Sequence, residues 1–477
     1  MRKLLLSFAL VLAASVSAQF EPGSTFSLDF KQDQDVSLVL VDNYNHYLFS
    51  VRNVDGMLAD HSITLRKFDQ KNQLVDTYTY KFPELEKYTL YQYLGFAESK
   101  GGKLAVFIEG YSGKVKKCVL SKIVFDKATA TFTPTELLST DIQSAMKSGD
   151  ASMEKSVDGR YSVVRYTPYH AKDSAEKTTI MVFDNGSFDK VWQKELSFTD
   201  KYVSRCFSVS NTGKVLLLRD ASGWKQDTYM VYVSADKQEE KRLDVPVEIF
   251  KPALLTIGDQ DYALAFGHPS KGLRGGDYGR LIFYDLTEGK VLKQNTVDVF
   301  GKTGTESVSF RDITISGDEI NIIAEARVEV KQAPPTLTNG GFGSTSAFDK
   351  NYTFGPAAHY ILGIDGTVKK ETLLYVSEAG RANLFHVVGV LSFQGQTYVN
   401  SPLGAGLYRL GKDAGLYQKD MEPFVPYIPK NTRGRRVDSF TYPAQLMYYL
   451  PDSGKLIMFR SDGDGSLTIG SVPNVRL

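Results

Sequence analysis

Between Cys206 and Val245 the chain alternates short apolar runs with polar breaks: CFSVSNTGKVLLLRDASGWKQDTYMVYVSADKQEEKRLDV. Brief apolar runs bounded by Gly, Asn, Asp and Ser are the pattern of strands, not of helices. The pattern predicts four strands, over Cys206–Ser210, Lys214–Arg219, Thr228–Ser234 and Glu240–Val245. A tight turn at Asn211–Gly213 joins the first pair, a longer polar loop at Asp220–Asp227 the middle pair, and Asp236–Glu239 the last pair.

Versions of this unit fill most of the chain. The first turn recurs as a polar or Gly-rich break before an apolar strand. It stands at Asp42–Asn45 before HYLFSV, Ser99–Gly102 before KLAVFI, Asp158–Gly159 before RYSVVRY and Asn211–Gly213 before KVLLLR. It returns at Gly258–Gln260 before DYALAF, Ser316–Asp318 before EINIIAE, Gln394–Gly395 before QTYVN and Pro451–Gly454 before KLIMFR. The last turn recurs where an apolar strand ends at an Asp: Asp69, Asp126, Asp184, Asp285 and Asp365, with weaker copies at Asp236 and Asp413. Asp suits that place because its carboxylate accepts the backbone N–H two residues on and starts a turn.

Eight first turns face seven last turns, and the mismatch is informative. The final unit has only three strands, Gln445–Leu450, Lys455–Arg460 and Ser466–Val472. A spare strand, Thr25–Phe30, precedes the first complete unit, which begins near Val36. If the spare strand completes the last unit, a ring of sheets closes and exposed strand edges disappear. The predicted fold class is therefore all-β: a β-propeller of four-stranded blades closed by an N-terminal strand. The count is eight blades, with seven as the alternative if one weak unit collapses. A repeat of about 50 residues fits a blade. A linear solenoid uses shorter repeats and needs no donated strand, and two β-sandwiches would not carry one period from end to end. Thr140–Lys147 has the spacing of a short helical turn. Lys331–Phe354 predicts a long loop inserted in the sixth blade, and Glu422–Tyr442 a linker between the seventh and eighth.

The opening stretch, MRKLLLSFALVLAASVSAQF, has a basic start, an apolar run and small residues before Gln19. That is the pattern of a secretory signal peptide over residues 1–18, leaving 19–477 as a single propeller domain. The apolar run is too short for a membrane anchor, and no Cys lies near the cleavage site to carry a lipid. No later segment reads as an integral membrane segment, so the mature chain is expected to be soluble and secreted or periplasmic. Lys and Arg number 56 against 55 Asp and Glu; without Arg2 and Lys3 the balance is 54 against 55. Such neutrality argues against nucleic acid as a partner, which needs a broad basic surface. Aromatic residues make up 12 % of the chain, mostly Tyr and Phe, and favour strands. The two cysteines, Cys118 and Cys206, fall on non-adjacent repeats, too far apart to bridge, and are expected to be separate thiols.

The fragments SVDGRYSVVRY, SNTGKVLLLRD and PDSGKLIMFR resemble the core of WD40-like, TolB-type propeller repeats, in which a Ser-Pro-Asp-Gly-Lys turn leads into an apolar strand. About three blades match well and the rest loosely; the Pro-Asp-Gly centre is intact in none of the three fragments. The resemblance implies a propeller scaffold for protein or ligand binding and carries no catalytic residues with it.

In a propeller the loops between strands two and three share a face with the connections between blades. That face collects the long irregular segments Tyr166–Lys177, Asp220–Asp227, Gly267–Gly279, Lys331–Phe354 and Glu422–Tyr442. Long loops on a rigid scaffold are where binding concentrates. Tyr166, Tyr169, His170, Trp224 and Tyr278 are candidates for flat contact with a glycan or peptide. Lys271, Arg274, Arg433, Arg435 and Arg436 are candidates for holding a carboxylate, since Arg presents a planar donor fork. His170, His268 and His359 would need to converge across blades to act together, and scattered or packed His is the plainer account. No metal or cofactor is expected. Gly301-Lys302-Thr303 lacks the earlier Gly of a phosphate loop, because Thr296 stands there. The Asp462–Ser466 run has Pro473 where a calcium loop needs Glu. There is no G-x-S-x-G elbow. Asp173, Asp227 and Asp277 are carboxylates that nothing pairs. The functional expectation is a propeller that binds a protein or glycan partner through its long-loop face. The alternative is a propeller hydrolase or lyase acting on glycans or peptides at the central opening, and a structural envelope role comes third.

Overall fold

The computed structural model describes residues 20–28, 33–52, 61–83, 85, 89–144, 147–170, 174–199, 202–221, 228–243, 247–249, 252–269, 279–300, 307–329, 352–375, 389–394, 396–400, 406–410, 425–426, 446–461 and 466–477. The fold is an all-β propeller of eight antiparallel, four-stranded blades. Blade 1 comprises Asp33–Val39, Asn45–Arg52, Ser62–Asp69 and Leu74–Lys81; blade 2 comprises Leu90–Ser99, Lys103–Ser112, Lys117–Asp126 and Thr131–Asp141. Blade 3 comprises Asp150–Lys155, Tyr161–Thr167, Glu176–Asp184 and Lys190–Phe198; blade 4 comprises Tyr202–Val209, Val215–Ala221, Thr228–Val233 and Gln238–Leu243. In blade 5 the first strand is broken into Val247–Ile249 and Ala253–Ile257, followed by Gln260–Pro269, Arg280–Asp285 and Lys290–Thr296. Blade 6 comprises Ser307–Ser316, Glu319–Glu329, Tyr352–Gly363 and Val368–Tyr375; blade 7 comprises Gly389–Phe393, Gln396–Asn400, Gly406–Arg409 and Val425–Pro426. Blade 8 takes Met447–Leu450, Lys455–Ser461 and Ser466–Val472, and its fourth strand is Glu21–Ser27. No helix among the described residues is long and apolar enough to cross a membrane.

The turns follow the expected chemistry. Asp69 Oδ1 accepts the N–H groups of Lys71 and Gln73 at 2.9 and 2.8 Å. Asp126 does the same for Ala128 at 2.8 Å, Asp184 for Gly186 at 2.7 Å, Asp285 for Thr287 at 2.8 Å and Asp365 for Thr367 at 3.0 Å. In blade 4 the acceptor is Ser234 Oγ rather than Asp236, taking the Lys237 N–H at 3.1 Å. Asp413 lies outside the described residues.

The chain packs as two compact units. The first holds residues 1–50, 64–79 and 383–477. Within it the closing strand pairs antiparallel with Ser466–Val472, placing Thr25 opposite Thr468 and Phe26 opposite Leu467. The strand lies closer to the N-terminus than the alternation in TFSLDF implies. Phe26 sets its position, packing 5.6 Å from Phe68 and 6.2 Å from Phe459, centroid to centroid. Phe20 and Leu28 are buried on either side. Further bonds tie blade 8 to blade 1: Asn72 Nδ2 donates to Ser471 Oγ at 3.2 Å, and Asn43 Nδ2 to Asp452 Oδ2 at 2.7 Å.

The second unit holds residues 51–63 and 80–382, with blades 2 to 6. Its cores lie between successive blades. Phe107 of blade 2 packs with Val164 and Phe183 of blade 3, and Val163 and Val182 of blade 3 pack with Phe207 and Leu217 of blade 4. Leu218 of blade 4 packs with Ile282 of blade 5, and Phe266 and Phe283 of blade 5 with Ile322 and Tyr360 of blade 6. Strand faces alternate with period two, so within this unit a blade packs one apolar face against the next. Cys118 sits in blade 2 and Cys206 in blade 4, and no disulfide joins them.

Three local expectations change. Thr140 and Asp141 end a strand, and among the described residues after it the Lys147 N–H bonds Ser144 O at 2.9 Å. Tyr352 to Phe354, placed in the sixth-blade insertion, begin the third strand of that blade instead, because they pair with Arg327 to Glu329. Within the expected linker, Val425–Pro426 pairs with Gly406 and Leu407 and supplies blade 7 with its fourth strand.

His359 in blade 6 makes stability pH-dependent. Its ring is 4 % exposed, with Nε2 3.3 Å from Asn321 Oδ1. Burial, with Lys370 nearby, pushes its pKa down to about 4. The unfolded chain protonates this ring near pH ~6.5, whereas the folded chain resists until about pH 4. The contribution is thus intact above about pH 6.5 and lost as the pH falls toward 4, by up to about 3 kcal/mol. Denaturation midpoints measured across that window should fall with pH, and His359→Gln should flatten the slope.

Candidate functional site

The clearest exposed chemistry is on blade 3. Its second strand, Tyr161–Thr167, runs into Pro168, Tyr169 and His170, and the connection from blade 2 crosses beside it. Gly149 permits that crossing. Its φ is +113°, and a Cβ there would sit 2.6 Å from Thr167 O, so only glycine fits. Tyr166 OH donates to Ser148 O at 2.6 Å and locks the two segments together. Loops between strands two and three therefore share a face with the interblade connection here. On that base Tyr169 stands 47 % exposed, with Lys147 Nζ 4.9 Å from its ring centroid. Lys147 in turn donates to Gln143 Oε1 at 3.2 Å. His170 is half-buried, with Nδ1 3.4 Å from Pro168 O.

The other residues singled out from the sequence divide plainly. Tyr166 is 1 % exposed and packs with Val164, Met181 and Phe183, so its ring is core and offers no contact surface. It shares a strand face with Val164, two residues back, which the spacing in VVRY dictates. His268 is not in a loop: it lies in strand Gln260–Pro269, opposite Glu248. Trp224, Lys271, Arg274, Tyr278, Arg433, Arg435 and Arg436 lie outside the described residues, as do Asp173, Asp227, Asp277 and most of the sixth-blade insertion. Among the described residues no group of three His, Cys, Asp or Glu is placed to hold a metal ion.

The second strands also carry a buried charged layer that the sequence reading missed. The second strands of blades 2, 3, 4 and 6 each end their buried apolar run on an ionisable residue: Glu109, Arg165, Arg219 and Glu325. None of the four is more than 4 % exposed. Arg165 Nη2 donates to Asp150 Oδ2, its Nη1 lies 3.5 Å from Ser204 O of blade 4, and its guanidinium stands 5.2 Å from the Phe207 ring. Arg219 lies 3.6 Å over the Phe198 ring of blade 3 and 3.9 Å from Glu176 Oε2. Glu176 also accepts the N–H of Ser204 at 3.1 Å and the Ser204 hydroxyl. Glu325 is paired with Arg311 Nε at 3.7 Å. Burial raises the Glu109 pKa, and the Cys118 thiol, donating to Glu109 Oε1 at 3.1 Å, opposes that shift. The signal was in the letters: KLAVFI is followed by Glu109, and RYSVVR, KVLLLR and EINIIAE each contain the charge after their apolar run. In blades 3 and 4 the layer spans the seam between the two sheets, Arg165 reaching Ser204 O of blade 4 and Arg219 lying over Phe198 of blade 3.

No family model matches the chain, and no curated protein matches it. Solved structures do. The chain is similar to the Dos1 propeller, at 13 % identity and TM-score 0.44, with 95 % of each chain covered. It is similar to the β-propeller domain of the Trilobed protease from Pyrococcus furiosus, described as having an open velcro topology, at 11 % identity and TM-score 0.38, covering 83 % of this chain and 98 % of that one. It is also similar to cobalt-substituted Synechocystis ACO at 9 % identity and TM-score 0.32, covering 55 % of this chain and 61 % of the other. At these identities the likeness is one of fold.

Proposed function

We propose that this propeller binds a macromolecular partner, a protein or a glycan, through the face on which strand-two-to-three loops and interblade connections meet, and that it works outside the cytoplasm, secreted or periplasmic. The observation that carries the reading is Tyr169: a large ring, 47 % exposed, with the Lys147 ammonium 4.9 Å from its centroid, on a segment that Tyr166 ties to Ser148 O. Exposed aromatics on a rigid base contribute strongly to binding because little conformational freedom is lost on contact.

The test uses the full chain, captured against extracts and against a glycan array, with wild type beside Tyr169→Ala. The substitution should weaken capture by about 2 kcal/mol. Because the ring is not part of the core, the melting temperature should stay where it was. A partner set unchanged by Tyr169→Ala, and unchanged again on removing residues 331–350, would overturn the assignment of this face. The compartment has its own check: N-terminal sequencing of the exported chain should begin at Gln19.

A further inference from the structure

The turn between the second and third strands of blade 2 lies against the connection that leads to blade 3. It spans residues 113–116, between Ser112 and Lys117. The Ser112 hydroxyl accepts the Lys114 and Val115 N–H groups at 3.2 and 3.4 Å and holds the turn in shape. The Lys116 carbonyl accepts the Ile142 N–H at 3.0 Å. Ile142 anchors the connection, with its side chain buried in the core beside Cys118, Ala151 and Tyr166. From there the connection runs past Gln143 to Lys147, whose ammonium reaches both the Gln143 amide and the Tyr169 ring. The blade 2 turn, the connection and the Tyr169 segment thus form one continuous surface.

That surface is basic, although the chain as a whole is balanced. Residues 112–117 and 140–149 hold four lysines, Lys114, Lys116, Lys117 and Lys147, against one carboxylate, Asp141. All four lysines are exposed. Asp141 lies 3.0 Å from Lys117 and offsets one charge, which leaves an excess of three. The bordering acids do not remove it: Asp150 is matched by Arg165, and Glu109 is buried against Cys118. Lys147 meets a neutral amide and a ring, so it keeps its full charge. Apolar groups stand among these cations. Val115 is 44 % exposed and Tyr169 47 %. Among the described residues they are the large apolar side chains left exposed in loops between second and third strands, and the two loops belong to neighbouring blades.

We propose that this surface docks an acidic segment of a partner protein, one in which Asp or Glu is interspersed with apolar side chains. The inference rests on the reading of the Tyr169 face given above and names the chemistry that the face selects. An excess of one sign on a fixed surface attracts the opposite sign and orients it at encounter. Val115 and Tyr169 receive the apolar side chains that lie between the carboxylates. A peptide suits this surface better than a carbohydrate, because Val115 has no flat ring for a sugar to stack on and offers a purely apolar contact. The turn and the connection are already held by Ser112 and Ile142, so little order is lost when the segment docks.

Selection from a random peptide library displayed on phage tests it, with the full chain as bait and the double variant Lys116→Glu, Lys147→Glu as counter-bait. Peptides retained by the wild type should be rich in Asp and Glu with apolar residues among them. The tightest, made synthetically, should bind the double variant about tenfold or more weakly, and should weaken as salt rises from about 0.05 to about 0.5 M. Lys116→Arg with Lys147→Arg should bind like the wild type. All these variants should melt with the wild type, because both side chains are exposed and it is the backbone of Lys116 that holds Ile142. No retained peptide, selected sequences that are neutral or basic, indifference to the charge reversal, or binding of a polyuronate in place of any peptide would each overturn the proposal. If one of these is found while Tyr169→Ala still weakens capture, the face stands and its acidic partner falls. If acidic peptides need Lys116 and Lys147 but capture ignores Tyr169→Ala, the basic surface stands and the reading built on the ring falls.

Discussion

Deleting residues 19–31 should leave a protein that melts well below the full-length chain. The closing strand contributes the buried Phe20 and Leu28 and the half-buried Phe26. Each such side chain is worth about 1.5–3 kcal/mol when fully buried. Its removal also exposes the N–H and C=O row of Ser466–Val472, an open edge that favours association between chains. A loss of about 5 kcal/mol or more is expected, with concentration-dependent aggregation on heating. Phe26→Ser retains the strand but removes the ring from Phe68 and Phe459, and should cost about 3 kcal/mol. Thermal and chemical denaturation of the three proteins provides the measurement. A truncated chain as stable as the full one would show that the strand does not close blade 8.

Glu176→Leu should be nearly as damaging, for a different reason. Arg219 is fully buried against Phe198, and Glu176, 3 % exposed, is the carboxylate beside it. Taking one member from a buried ion pair leaves the other charge in a low-dielectric seam, at a cost of about 3–5 kcal/mol. Replacing both, with Arg219→Leu added, should recover a substantial part of that loss, because no bare charge then remains buried. A denaturant midpoint that falls for the single change and rises again for the double one is the expected result. Purely additive losses would mean that the two groups are not coupled across the seam.

Much of the fold was legible because its determinants are local. A strand alternates its faces every residue, and an Asp accepting an N–H two residues on makes its turn wherever it stands, so Asp69, Asp126, Asp184, Asp285 and Asp365 marked the same corner in five blades. The site was less legible. Tyr166 and Tyr169 read as equivalent loop aromatics, yet the strand continues to Thr167, and its alternation carries Tyr166 inward beside Val164. Tyr169, beyond Pro168, escapes that alternation and stays outside. Glu109, Arg165, Arg219 and Glu325 were visible as letters ending apolar runs. Their pairings were not, because the partners lie on other strands, and the seam between blades 3 and 4 brings Arg165 and Arg219 onto the neighbouring blade.

By itself, then, the chain's alternation and turn chemistry determined the four-stranded period, the count of eight blades and the strand left over to complete the last. Those properties depend on neighbours a few residues apart, and they are written in order along the backbone. Only the tertiary structure decided which charges face each other and which aromatic ring remains outside. Such arrangements depend on how separate sheets pack, which neighbours along the chain do not specify.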